Sequence, residues 1–95
     1  MIKIDTTIVL KALKGGNMKE SGNDFTLGSA IGSILGNSTE GGKMKLYTLA
    51  AKFSTEPVVE LDESDMVLVK NTVKVSKIYG ASIAGQVELI LEGLK

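Results

Sequence analysis

Five carboxylates crowd residues 56–65: Glu56, Glu60, Asp62, Glu63 and Asp65. Paired carboxylates can hold a hard cation or divide acid and base work between them. An EF-hand loop sets its ligands at alternating positions around a central Gly and closes on a Glu, and this spacing lacks that order. The same residues read more simply as a solvated strand end followed by a helix start. Asp62 can cap, and the acids after it favour the positive helix end. No metal and no cofactor is expected.

Lysine makes a second pattern. Lys70, Lys74 and Lys77 recur at i, i+4 and i+7, a basic ridge if 65–78 is helical. Such a ridge is either an ordinary polar face or a contact for an acidic partner.

A third pattern lies in TLGSAIGSILGNSTEGG, residues 26–42, with Gly28, Gly32 and Gly36 four apart and Ser29 and Ser33 beside them. This spacing lets two helix backbones approach closely. A helix of about ten residues is about 15 Å long at 1.5 Å per residue, half a bilayer core, so a membrane dimer face is not expected. A phosphate loop needs its glycines before the helix and a Gly-Lys-Ser/Thr ending, and GNSTEGGK has another order. These five small residues predict a flat helix side with a close neighbour, either another helix of this domain or another chain. With the three lysines they form the candidate interaction surface.

The absent residue types exclude more chemistry than the present ones suggest. There is no His, Cys or Trp, and all eleven basic residues are lysine. The usual acid–base group near neutral pH, the thiolate nucleophile, the Cys-ligated zinc and the disulfide framework are therefore missing. So is the bidentate arginine fork for phosphate or guanine. Ser and Thr are plentiful, with no His to activate them. Tyr47 and Tyr79 are expected at the edge of the core. Eleven acids balance the eleven lysines, so no global field draws the chain to nucleic acid or to an anionic membrane.

The elements that must position these residues follow from periodicity. Residues 2–14 are rich in β-branched side chains and predict a strand, with Gly15-Gly16-Asn17 as a hairpin tip and a return through Met18–Glu20. Leu27, Ala30, Ile31, Ile34 and Leu35 predict a helix over 27–36, capped by Asp24 or Thr26 and ended by a left-handed Gly36. Leu46, Leu49, Ala50 and Phe53 predict a second helix over 43–54, with Lys43, Lys45 and Lys52 off its buried face. Pro57 stops it, and VVEL at 58–61 is a short strand. Met66, Val69 and Val73 predict a third helix within 65–78. Ile83, Ala84, Val87, Ile90, Leu91 and Leu94 give the fourth, over 82–94, with Gln86 outside its stripe. Its stripe needs cover from the sheet of residues 2–10 with Phe53, or from a second copy. The fold class is α+β: about four short helices packed on a small antiparallel hairpin or sheet, one domain over residues 1–95.

Lys11 interrupts the apolar run near the N-terminus, no small-residue cleavage site follows, and no apolar run reaches 18 residues. A leader or membrane span is not expected, and the default location is cytoplasmic.

The order and spacing of LKALKGG, FTLGSAIGSIL, KMKLYTLAAKF, VVELDESDMVLVKNTV and YGASIAGQVELILE resemble a family of small hypothetical proteins encoded by tailed bacteriophages. The extra Gly and Ser in the first helix and the Val-rich third helix depart from that pattern. The resemblance implies a phage origin and expression in the host bacterial cytoplasm, and it supplies no catalytic residues. A non-enzymatic protein that binds a host or phage protein is the expected function, with inhibition of a host defence system or host enzyme as its specific form. A virion component forming homo-oligomers is a second reading, and a nucleic-acid accessory protein, supported by the lysine ridge alone, is a third.

Overall fold

The computed structural model describes residues 2–12, 15–20, 22–38 and 42–94. In chain order the elements are β1 (Ile2–Asp5), β2 (Lys19–Glu20), β3 (Asn23–Asp24), α1 (Leu27–Gly36), α2 (Lys43–Thr55), β4 (Val58–Leu61), α3 (Glu63–Val75) and α4 (Ala81–Glu92). The architecture is α+β, as the periodicities require.

The strand pairing differs from the sequence expectation. Residues 2–14 are not one strand, and β1 pairs antiparallel with the distant β4, in the register Ile2 with Leu61 through Asp5 with Val58. The break has a local cause. Asp5 Oδ1 accepts from the backbone N–H of Thr7 at 2.9 Å and from its hydroxyl at 2.5 Å, and this turn competes with continued strand. Thr6 carries the pairing one step further by donating its N–H to the Pro57 carbonyl.

The hairpin expected at 15–17 is present in reduced form. Lys11 and Asn17 form an antiparallel bridge, and Gly15 and Gly16 take φ of 92° and 76°, a region that side chains penalise. β2 pairs antiparallel with β3, Lys19 with Asp24 and Glu20 with Asn23. The segments around Leu10, Met18 and Phe25 then close a ring of backbone hydrogen bonds. Leu10 N–H donates to Phe25 O at 2.9 Å, Phe25 N–H to Met18 O at 2.8 Å, and Met18 N–H to Leu10 O at 2.8 Å. Leu10 and Phe25 are thereby buried with their backbone groups satisfied.

The core is built from the expected stripes. Leu27, Ile31, Ile34 and Leu35 of α1, Leu46, Leu49 and Phe53 of α2, and Met66, Val69 and Val73 of α3 are all buried, with Ile4, Val59 and Leu61 from the sheet. Thr26 caps α1, and Asp62 caps α3 by accepting from Asp65 N–H at 2.7 Å. Gly36 does not take the expected left-handed conformation. The helix runs through it and ends at Asn37, whose N–H makes the last helical bond to the Ser33 carbonyl at 3.1 Å and whose side-chain amide caps the same carbonyl at 2.8 Å.

Helix α4 packs mainly on α3 and α1, rather than on the sheet and α2 as expected. Only Val87 and Leu91 of its stripe are fully buried, while Ile83, Ile90 and Leu94 lie against the core half-covered. Gln86, placed outside the stripe by periodicity, ties the helix to the chain before the hairpin. Its Oε1 accepts from Lys11 N–H at 2.8 Å, and its Nε2 donates to the Lys11 and Ser82 carbonyls. The carboxamide thus stands in for a neighbouring strand.

Candidate interaction face on the second helix

The small residues of α1 meet α2. A methyl group on Gly28 would stand 2.5 Å from the Phe53 carbonyl oxygen and 2.7 Å from Thr6 Cβ, and one on Gly36 would stand 3.9 Å from Ala50 Cβ. A methyl on Gly32 would collide with Ser54 Oγ and approach the Ala50 carbonyl to 3.3 Å. The close neighbour is therefore a helix of the same domain. Gly28 and Gly32 are buried and offer no surface to a second chain, while Ser29 and Ser33 are half-buried and Gly36 is exposed.

The first turn of α1 has no N–H group left for an anion. Leu27 N–H donates to Ile8 O, Gly28 N–H to Thr6 O, Ser29 N–H to Thr26 Oγ1 and Ala30 N–H to Thr26 O. The orphan donors that make a phosphate cradle are already satisfied.

The lysine ridge is shorter than its spacing suggested. Helix α3 ends at Val75, with Ser76 in an extended conformation, so Lys77 lies beyond the helix and does not continue the row. Lys70 is half-buried, 4.0 Å from Glu92 Oε1, and Lys74 is exposed one turn on. The two share a cleft with Glu88 and Glu92, so the local charge is mixed and not basic. The acids of 56–65 also separate: Glu60 faces Lys3 at 3.9 Å, Asp62 caps α3, and Asp65 pairs with Lys45 at 3.0 Å. Among the described residues, no three His, Cys, Asp or Glu gather as a metal-binding group.

The surface that sequence reasoning missed is the outer side of α2. Its buried row is Leu46, Leu49, Ala50 and Phe53. Two residues earlier, Met44, Tyr47, Thr48 and Ala51 repeat the same i, i+3, i+4, i+7 spacing and are all exposed. Met44 is 86% exposed and Tyr47 76%, so Tyr47 is not the core-edge residue expected. Tyr79 is, with its ring edge-on to Phe25 at 5.6 Å. Thr48 donates its hydroxyl to Met44 O at 2.9 Å and Thr55 to Ala51 O at 2.8 Å. With each hydroxyl turned back on the helix, the threonines add little polarity to the row.

Charge on α2 is one-sided. Lys43, Lys45 and Lys52 are its only charged residues, and no acid sits in its first turn to offset the positive helix end. Lys45 is tied to Asp65. Among the described residues, Lys43 and Lys52 have no ion-pair partner.

The clefts offer less. One of about 290 Å³ is lined by the hydroxyls of Thr6, Thr7, Thr26, Ser29, Ser54 and Thr55. Thr6 donates to the Glu56 carbonyl, Thr7 to Asp5, Thr26 to Ser29 and Thr55 to Ala51, so four of these six donors are spent inside the protein. Asp5 lies exposed at the turn after β1. Donation from the Thr7 hydroxyl, and then from its backbone N–H, holds the carboxyl below the ordinary carboxylate value. That is local turn chemistry and not a poised acid.

Set against family models, curated proteins and solved structures, the chain finds no match. Among the described residues no helix is long and apolar enough to cross a membrane.

Proposed function

We propose that the protein acts by binding another protein and performs no chemistry of its own. The supporting observation is the outward row of α2, with Met44 and Tyr47 at 86% and 76% exposure one turn apart. Together with Thr48 and Ala51 they have the spacing by which a helix docks its anchors into a groove. Withdrawing a side chain such as Met44 from water contributes roughly 1.5–3 kcal/mol, and tyrosine is among the residues that dominate interface energetics.

In keeping with the resemblance to tailed-phage proteins, the partner is a host or phage protein met in the host bacterial cytoplasm. Inhibition of a host defence system or host enzyme is the specific form, because blocking requires complementary surface and no cofactor. A photo-crosslinking amino acid at position 47 tests this, with position 89 as control, since Leu89 on α4 is equally exposed. One discrete protein adduct is expected from position 47 and none from 89, and the purified partner should lose binding to Met44→Ala/Tyr47→Ala. Equal labelling at both positions, no adduct at 47, or unchanged binding by the double variant overturns the proposal.

A further inference from the structure

The sheet of β1 and β4 has open sides. It holds these two strands alone, so among the described residues each has an edge with no strand beside it. The ladder decides which backbone groups face those edges. In an antiparallel pair, residues that exchange hydrogen bonds alternate with residues whose N–H and C=O point away from the partner strand. Thr6 donates to the Pro57 carbonyl in the register of the sheet, so Ile4 with Val59 and Ile2 with Leu61 are the bonded pairs. The N–H and C=O of Lys3 and Asp5 therefore point off the outer edge of β1, and those of Val58 and Glu60 off the outer edge of β4. None of these groups has a hydrogen-bond partner among the described residues.

An unpaired edge invites another strand, and charged residues on a short edge resist one. On β1 the charges select instead. Lys3 and Asp5 share the exposed face of the strand, opposite the buried Ile4. Two copies of β1 pair antiparallel about a two-fold axis only where outward residues oppose outward residues. Centred on Lys3, the pairing sets lysine against lysine. Centred on Asp5, it sets carboxylate against carboxylate. Like charges directly opposite destabilise both. Centred on Ile4, it sets Lys3 of each copy against Asp5 of the other, and the same residues exchange the hydrogen bonds. Asp5 Oδ1 already accepts from Thr7, which leaves the second carboxylate oxygen for the lysine. Lys3, 3.9 Å from Glu60 Oε1 within its own sheet, gains a second carboxylate on its other side. The outer edge of β4 has no such solution, because its outward residues are Val58 and Glu60, with no cation.

We infer that the outer edge of β1 binds a second copy of this chain, antiparallel and centred on Ile4, to give a continuous sheet in the order β4-β1-β1-β4. This self-association does not depend on the docking role of α2. A single strand edge is a small contact, so the dimer belongs to the weak, transient class.

The test is sedimentation velocity of the full chain from about 10 μM to about 1 mM, the range in which so small a contact associates. A monomer–dimer equilibrium with no larger species is expected. Lys3→Glu sets carboxylate against carboxylate in both charge pairs and should weaken the dimer by about tenfold or more. Lys52→Glu makes the same change in net charge on α2 and should leave the dimer within about a factor of two of wild type. Mixing Lys3→Glu with Asp5→Lys should restore a dimer that neither variant forms alone, since both pairs regain opposite charges. Asp5→Lys also gives up the acceptor for Thr7, so its fold is checked by circular dichroism, and amide exchange in the wild-type protein decides the edge without it. The Lys3 and Asp5 amides should be protected at high concentration and exchange freely at low, while the Val58 and Glu60 amides exchange alike at both. A monomer over the whole range overturns the proposal. So does growth past the dimer, as pairing of β1 with another copy's β4 would give, or protection at Val58 or Glu60. Equal effects of Lys3→Glu and Lys52→Glu, or a mixed sample of two folded variants that stays monomeric, overturn it as well.

Discussion

Replacing Gly28 by alanine puts a methyl group where α1 touches both α2 and the turn after β1. That methyl would lie 2.5 Å from the Phe53 carbonyl oxygen and 2.7 Å from Thr6 Cβ, where ordinary contact begins at 3.4 Å. The first obstacle is backbone, so the helix must retreat by the better part of an ångström. The bond from Gly28 N–H to Thr6 O at 3.1 Å stands in the way of that shift. Overpacking of this kind costs about 1–3 kcal/mol, and the gain in helix propensity over Gly returns at most about 1 kcal/mol. A net loss of about 1–2 kcal/mol is expected, which lowers the melting midpoint of a domain this size by roughly 5–15 °C. Gly32→Ala meets only the end of the exposed Ser54 side chain and, at 3.3 Å, the Ala50 carbonyl. Ser54 can rotate away, so this variant should fall near wild type. Gly85→Ala in α4 meets nothing within 4 Å and should gain about 0.5–1 kcal/mol. Urea unfolding followed by circular dichroism ranks the three. A Gly28→Ala protein as stable as Gly32→Ala would refute the described packing of α1 on α2.

Two other variants probe the loops. Thr7→Val removes the larger cause of the Asp5 shift, so the Asp5 carboxyl, followed by NMR titration, should rise toward the ordinary carboxylate value. Because the folded-state value is depressed, Asp5 contributes stability above its unfolded pKa, and that contribution is lost as pH falls through the folded value. The stability gap between wild type and Thr7→Val should therefore be present at neutral pH and close in acid. Gln86→Ala should cost about 1 kcal/mol and selectively deprotect the Lys11 amide in hydrogen exchange, because Gln86 Oε1 is its acceptor. Unchanged exchange at Lys11 would show that the carboxamide does not hold α4 to the hairpin.

Most of the helical fold was legible in the sequence because each helix announces itself locally. Leu46, Leu49, Ala50 and Phe53 repeat at helical spacing, and Asp62 stands where a cap is needed. The pairing of β1 with β4 was not legible. It depends on chain segments more than fifty residues apart, and the β-branched run through Ile8 and Val9 masked the turn that Asp5 and Thr7 impose. Lys77 was misplaced because Lys70, Lys74 and Lys77 keep helical spacing past the point where α3 ends. The face on α2 carried a readable signal, a second row at Met44, Tyr47, Thr48 and Ala51. The polarity of threonine hid it, since only the structure shows those hydroxyls turned back to the helix carbonyls. For Gly28 and Gly32 the spacing named a close contact correctly but left its partner open between helix and second chain, and the packing of α2 decides it.

The central claim is that α2's outer face leaves water when the protein engages its partner. Methionine methyl NMR measures this directly. Met44 is 86% exposed, while Met66 is buried and Met18 lies half-covered against the core. In the free protein the Met44 methyl should be sharp and close to its random-coil position, and Met66 should be dispersed. At saturating partner the Met44 signal should shift and lose its mobility while Met66 stays in place. A Met44 methyl that remains sharp and unmoved in the saturated complex would contradict the claim.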